Sequence, residues 1–390
     1  MRLTHLSLHN FRNYVRLDLE LVPGVTVLVG DNAQGKTNLL ESIYYLATSR
    51  SSHAGSDREL INWLATEQEP LPYSRLVGRL LRSEHETKIE ITLTKQQNNS
   101  TRYQKQIRLN GVAKRAMDLL GHLNVVLFLP QDIALVSGAP SGRRRYLDAM
   151  LCQIDPPYCR TLSRYNKVVS QRNALLRDLR ERGGRPAQLV FWNERLVEHG
   201  SALVARRRRA LLTLDALAGG VHSELTDGQE RLRIRYLSSV EIDEEKRPEK
   251  IGKIFQAQLE AQRQREIAAG MTLSGPHRDE IRFFIDKVDA GIYGSRGQQR
   301  TVALALKLAE VQLMQQETGE FPVLLLDDVL SELDAHRRRF LLGRLDDGPQ
   351  QALITTTDLH SLPGGFVGTC QLWRVKAGRL HPLAATQGEG

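Results

Sequence analysis

The chain offers little sulfur chemistry. Its three cysteines, Cys152, Cys159 and Cys370, are an odd number without CxxC spacing. A disulfide framework or zinc site is not expected, and a reducing cytoplasm fits. No run approaches the ~18 consecutive apolar residues of a membrane-crossing helix. The opening Met1-Arg2-Leu3-Thr4-His5 lacks the apolar core of a secretion signal. A cytoplasmic protein with no membrane partner is the expectation. Internal repeats, low-complexity segments and sustained heptads are also missing, and the last argues against long coiled-coil arms.

What is present is an ordinary globular composition with an unusual charge. Hydrophobic residues make up 41% and charged residues 25% of 390, enough for a real core. The length suits two domains or one large domain with an insertion. Lys+Arg 54 against Asp+Glu 45 gives +9, and 42 of the cations are Arg. Arg matches phosphate with its planar fork. Either an anionic partner such as nucleic acid or genome base composition could produce the excess. It is concentrated: residues 141–210 hold 16 Lys+Arg and 6 Asp+Glu, net +10, leaving −1 for the remainder. Within that stretch Arg206 to Arg209 form a run of four, which reads either as a solvated helix face or as a nucleic-acid contact.

Periodicity supplies the elements. Leu3, Leu6 and Leu8, then Val15, Leu17, Leu19 and Leu21, predict two half-buried strands. Val25–Val29 is a β-branched run that suits a strand buried on both faces, with a helix following from Asn38 to Ala47. Residues 75–112 read as strands with a hairpin turn at Asn110-Gly111. Val125–Leu129 is another apolar strand. The basic middle reads as two long helices broken at Gly183–Pro186. Ile281–Ile285, Val323–Leu326, Leu353-Ile354 and Leu372–Val375 read as strands. Val302, Ala305, Leu306, Ala309 and Leu313 mark one face of a helix, and Thr386 to Gly390 is expected to fray.

Two motifs carry chemistry. Gly30-Asp31-Asn32-Ala33-Gln34-Gly35-Lys36-Thr37 fits G-x-x-x-x-G-K-[ST] between a predicted strand and a predicted helix. Glycines let backbone N–H groups turn toward a phosphate, and the helix N-terminus adds partial positive charge. Lys36 would meet the β- and γ-phosphates of ATP, and Thr37 would offer its hydroxyl to Mg²⁺. The second motif is Val323–Leu326 ending in Asp327-Asp328. Such a strand delivers acids to the C-terminal edge of a parallel sheet. Asp327 would hold Mg²⁺ directly or through water, and Asp328 would orient or deprotonate the attacking water.

Further strings point to a family. Gly294-Ser295-Arg296-Gly297-Gln298-Gln299-Arg300 resembles the ABC-type signature, and Ser331-Glu332-Leu333-Asp334 the D-loop. Leu8 to Asn13 is similar to the opening of the chromosome-maintenance and break-repair ATPases. Leu127–Asp132, Pro140–Asp148 and Ser274–Asp279 are similar to the RecF family of DNA replication and repair proteins, and the match runs from Leu3 to about Val375. The resemblance implies a nucleotide held by Gly30 to Asn38, with Arg12 in the opening string and Ser295, Gly297 and Gln298 of the signature acting on a partner's ATP. Gln131 is the implied Q-loop residue, sensing Mg²⁺ and γ-phosphate as part of the catalytic set with Lys36 and Asp328. It further implies an ATP-dependent homodimer that clamps double-stranded and gapped DNA. Such a protein works with RecR and RecO to load RecA in recombinational repair and the SOS response, and is a weak, DNA-stimulated ATPase whose hydrolysis releases the clamp. The chain departs from the ABC pattern at Arg296, where glycine is usual, at Asp328, where Glu is usual, and at Thr357, where a switch His is usual.

The expected architecture is an α/β ABC-type ATPase head with a P-loop sheet and no long coiled coil. Residues 1–136 and 281–390 would form it from both chain ends, with a mostly helical, Arg-rich second lobe at 137–280. The alternative is the ATP-binding subunit of an ABC membrane importer. Against it stand the 258 residues from Thr37 to Ser295 and the basic insertion.

Overall fold

The computed structural model describes residues 1–68, 71–82, 85–95, 103–242, 247–346, 348, 350–359 and 362–383. Strands β1 (Arg2–Phe11), β2 (Tyr14–Glu20) and β3 (Val25–Val29) come first, and β3 leads into helix α1 (Lys36–Thr48). Helix α2 (Trp63–Gln68) precedes β4 (Tyr73–Arg82), β5 (His85–Lys95), β6 (Tyr103–Leu109) and β7 (Val112–Lys114). Next are α3 (Ala116–Leu119), β8 (Val125–Phe128), α4 (Ala134–Ser137), α5 (Pro140–Ile154), α6 (Pro156–Arg182) and α7 (Leu189–Leu225). They are followed by β9 (Leu232–Leu237), α8 (Pro248–Ala269), β10 (Glu280–Ile285), β11 (Val288–Asp289) and α9 (Arg296–Thr318). Last are β12 (Val323–Asp327), α10 (Ala335–Asp346), β13 (Ala352–Thr356), α11 (Gly364–Thr369), β14 (Gln371–Lys376) and β15 (Arg379–Pro382).

Two compact units divide the chain: Met1–Asp132 with Glu310–Gly390, and Ile133–Ala309. The first holds two six-stranded sheets. One has the order β15-β14-β3-β13-β12-β8 and is parallel from β14 to β8. Every residue of β3, β12, β13 and β8 is buried, which is why these strands read as unbroken apolar runs. The other sheet is an antiparallel meander, β2-β1-β4-β5-β6-β7. Its turn at Asn110-Gly111 has φ of 49° and 82°, the left-handed pair a two-residue hairpin needs. Leu39, Leu40, Ile43 and Leu46 of α1 share one core with Leu6 and Leu76 of the meander and Leu325 and Leu353 of the parallel sheet. The end of β3 thus sets the origin of α1, and the glycine-bearing loop from Gly30 to Gly35 lies between them.

The second unit is mostly helical, with α6, α7 and α8 packed together and a small sheet ordered β11-β10-β9. No long coiled coil lies among the described residues. Its boundary differs from the expected 281. Strand β10 pairs antiparallel with β9 from Glu280↔Leu237 to Ile285↔Leu232. Those backbone hydrogen bonds tie residues 280–285 to the insertion, and the compact unit runs on to Ala309.

The arginine run is not a uniform face. Arg207 is buried, donating to Asp148 Oδ1 at 2.8 Å and to Pro276 O at 2.5 Å. Arg206 donates to Asp155 at 2.7 Å, and Arg209 is exposed. One residue of helix turns a side chain by about 100°, so adjacent cations cannot share a face. Arg207→Ala is expected to lower the stability of this unit by about 3–5 kcal/mol, because Asp148 and Asp279 lose a buried countercharge. Arg209→Ala should stay within about 0.5 kcal/mol. Urea midpoints of the two variants compare them directly, and equal midpoints would refute the assignment. His277 has a structural place too: its Nδ1 lies 2.7 Å from the Tyr165 hydroxyl, and burial lowers its pKa to about 4, so it stays neutral.

Candidate nucleotide site

The phosphate loop leaves β3 and enters α1 through Gly35, which caps the helix at φ 115°. Glycine is required there twice over. The angle is left-handed, and a Cβ would stand 2.5 Å from Asn13 Nδ2. Gly35 brings no side chain to cap α1, and no acid lies in the first turn. The helix N-terminus therefore keeps unsatisfied N–H donors and its positive end for an anion. Asp31, Asn32 and Ala33 form the exposed crest of the loop, and Gln34 is half-buried.

The loop is braced by residues far away in sequence. Asn13 Nδ2 donates to Gln34 O at 2.9 Å, Asn38 Nδ2 donates to Asn13 Oδ1 at 2.8 Å, and the Tyr14 hydroxyl donates to Gly35 O at 3.0 Å. On the other side, Ala377 N–H donates to Gln34 Oε1 at 2.8 Å and Gly378 N–H to Gln34 O at 3.0 Å. Asn38, expected at the nucleotide, thus holds the loop through Asn13. The Leu8–Asn13 string includes Asn13 without showing this bracing contact, and Tyr14 lies just beyond it; the partners of both are neighbours only in the fold.

Lys36 is nearly buried and donates to Gly30 O at 2.6 Å and Asp31 O at 2.9 Å. Burial lowers its pKa, while Asp328, Asp327 and Asp31 hold it up. The Thr37 hydroxyl lies 2.9 and 2.8 Å from the two carboxylate oxygens of Asp327. Thr37 and Asp327 are hard oxygen donors brought together from residues 290 apart. A hydroxyl and one carboxylate, completed by phosphates and water, suit Mg²⁺. Asp328 follows immediately with φ 49° and ψ 25°. Burial raises its pKa, Lys36 opposes that, and Asp327 adds to it. A raised pKa makes a carboxylate a better proton acceptor.

The other expected residues have partners of their own. Arg12 is committed to Glu41, donating from Nε at 2.8 Å and Nη2 at 3.0 Å, and to Glu59 O at 3.0 Å. Each of its three nitrogens makes one bond within the protein, which leaves one N–H on each terminal nitrogen. Gln131 is exposed just beyond β8, its Nε2 3.4 Å from His53 Nε2. In the second unit, Ser295 and Gln298 cap α9 reciprocally: Ser295 N–H donates to Gln298 Oε1 at 2.9 Å and Gln298 N–H to Ser295 Oγ at 3.2 Å. Gln298 Nε2 also donates to Glu230 at 2.8 Å. Ser295, Arg296 and Gly297 are exposed.

The family described as RecF/RecN/SMC N terminal domain matches residues 2–363. A DNA replication and repair protein RecF from Roseiflexus castenholzii is 46% identical, covering 98% of this chain and 100% of the relative. The chain belongs to the RecF family. A RecF of Chloroflexus aurantiacus is 44% identical over 97% of this chain and 99% of its own length. The solved recombination mediator protein RecF-ATPrS of the RecFOR pathway superposes with TM-score 0.87 at 34% identity, covering 98% of each chain. An Smc head domain from Pyrococcus furiosus superposes at 0.54 with 14% identity, over 98% of this chain and 96% of that one, and shows the shared fold alone. The RecF-family head here is a P-loop ATPase fold. No helix among the described residues is long and apolar enough to cross a membrane.

Proposed function

We propose that this RecF-family chain is a slow, cytoplasmic ATPase that dimerises on ATP, clamps double-stranded and gapped DNA, and acts with RecR and RecO in loading RecA. The observation that carries the ATPase reading is the meeting of Thr37 with Asp327, beside Lys36 and Asp328, at the C-terminal edge of the parallel sheet. Thr37 and Asp327 would hold Mg²⁺, which would supply positive charge against the β- and γ-phosphates. Lys36 turns from the loop carbonyls to the phosphates. Asp328 accepts a proton from water as the water oxygen bonds to the γ-phosphorus and the bond to the ADP oxygen breaks. The products are ADP and phosphate. Ser295 and Gly297 would serve a partner's nucleotide. Ile292 and Tyr293, 65% and 75% exposed beside them, leave an apolar surface that a second copy would cover.

For DNA, the basic second unit offers a stripe on α6. Arg160, Arg164 and Lys167 are spaced i, i+4, i+7, all exposed, and none is hydrogen-bonded or ion-paired among the described residues. Glu198 lies near Arg164 but is already bonded to Arg195 at 2.7 Å. Charge reversal of all three should weaken DNA binding and flatten its salt dependence, by about 0.9 in log–log slope for each phosphate that is no longer neutralised. An unchanged slope returns the stripe to a solvated face. The clamp itself is tested by DNA affinity with ATP, with ADP and without nucleotide, measured beside oligomer mass. Affinity independent of nucleotide would remove the clamp.

A further inference from the structure

The string Ile354-Thr355-Thr356-Thr357-Asp358 draws notice for Thr357, at the place of a switch His. In the fold, Thr357 is exposed, and the Thr356 hydroxyl closes a turn on Asp358, 2.9 Å from its carbonyl oxygen. Thr355 does something different. Strand β13 lies parallel beside β12 with Thr355 opposite Asp327. Its side chain is fully buried, with the hydroxyl 2.8 Å from Asp327 Oδ1 and 2.8 Å from the Asp328 amide nitrogen.

The direction of both bonds is fixed by counting protons. A backbone N–H can only donate, so the Thr355 oxygen accepts from Asp328. A hydroxyl has one proton, and the Asp327 carboxylate is its acceptor. One buried group therefore grips the side chain of one acid and the backbone of the next. The backbone it grips is unusual: Asp328 sits at φ 49°, a left-handed conformation that Asp and Asn tolerate better than most residues with a Cβ but that is still less favoured than the ordinary helical or extended regions.

We propose that Thr355 is a positioning residue of the hydrolytic site, orienting the Asp327 carboxylate and the turn that aims Asp328 through a single hydroxyl. This rests on the ATPase reading above. Its role passes entirely through the two aspartates, so it needs no contact with nucleotide. The hydroxyl is what matters, and a side chain of the same shape without it must fail.

The test compares Thr355→Val with Thr355→Ser. In the valine variant kcat for ATP should fall about 10–100-fold, as when a group supporting a metal ligand is lost. KM for ATP should change far less, and the Mg²⁺ concentration needed for tight nucleotide binding should rise. Serine should recover most of each loss. Hydrogen exchange of the peptide spanning residues 323–332 gives a readout without turnover: it should be faster in the valine variant and near wild type in the serine variant. Wild-type kcat, Mg²⁺ dependence and exchange in a folded valine variant would overturn the proposal. So would a serine variant as impaired as valine, since packing would then be the cause. If valine prevents folding, Thr355→Ala against Thr355→Ser decides by the same measurements. Absence of hydrolysis in the wild type would instead strike the ATPase reading, and Mg²⁺-dependent binding and exchange would still judge Thr355.

Discussion

Lys36→Ala is expected to abolish ATP binding at working concentrations, and with it any ATP-dependent dimer. Lys36 is the cation of the loop, and burial already disfavours its charge while three aspartates sustain it. Removing one partner of a desolvated charge pair costs about 2–5 kcal/mol, or about 30- to 5000-fold in affinity. The fold should survive, because the loop keeps its braces at Asn13, Tyr14, Ala377 and Gly378. Calorimetric titration with MgATP measures the loss. Light scattering with and without ATP measures the mass, and a melting curve without nucleotide checks the fold. A variant that binds ATP normally and doubles its mass would end the loop's assignment.

Asp328→Asn is expected to leave binding intact and to slow hydrolysis about 10²–10⁴-fold, the range a positioned general base supplies. The substitution is suited to the question. Asn tolerates the left-handed backbone that Asp328 adopts, so the turn and its bond to Thr355 persist while the proton acceptor is lost. The variant should accumulate as an ATP-bound dimer. Single-turnover phosphate release, read beside mass, separates binding from chemistry. Turnover at the wild-type rate would take Asp328 out of the reaction.

How much of this was legible in the sequence depended on distance along the chain. The loop from Gly30 to Thr37 could be read because one contiguous stretch makes it. The Asp327-Asp328 edge could be read because a buried parallel strand is an apolar run with its acids at the end. Asn13 and Thr355 could not be assigned roles, since those follow from which strand lies beside which and in what register. Arg12 looked available as a cation, yet its partner Glu41 is buried on the helix that the loop opens. The run Arg206–Arg209 looked like a surface because a string of letters does not show that Arg207 turns inward. Strand β10 was plain, but its partner β9 was not, and that pairing moved the boundary between the units. The tail Thr386–Gly390 lies outside the described residues.

Strand β3 lies between β13 and β14, so both of its neighbours are made last. During synthesis the phosphate loop emerges early, yet the strands that flank it and the turn that braces Gln34 follow roughly 20–70 s later, at about 5–20 residues per second. Until then both edges of an apolar strand are open to whatever else can pair with them. A chain cut short before Ala352 has neither neighbour of β3. A product cut there would carry the motif intact without the strands and the turn that hold it in place.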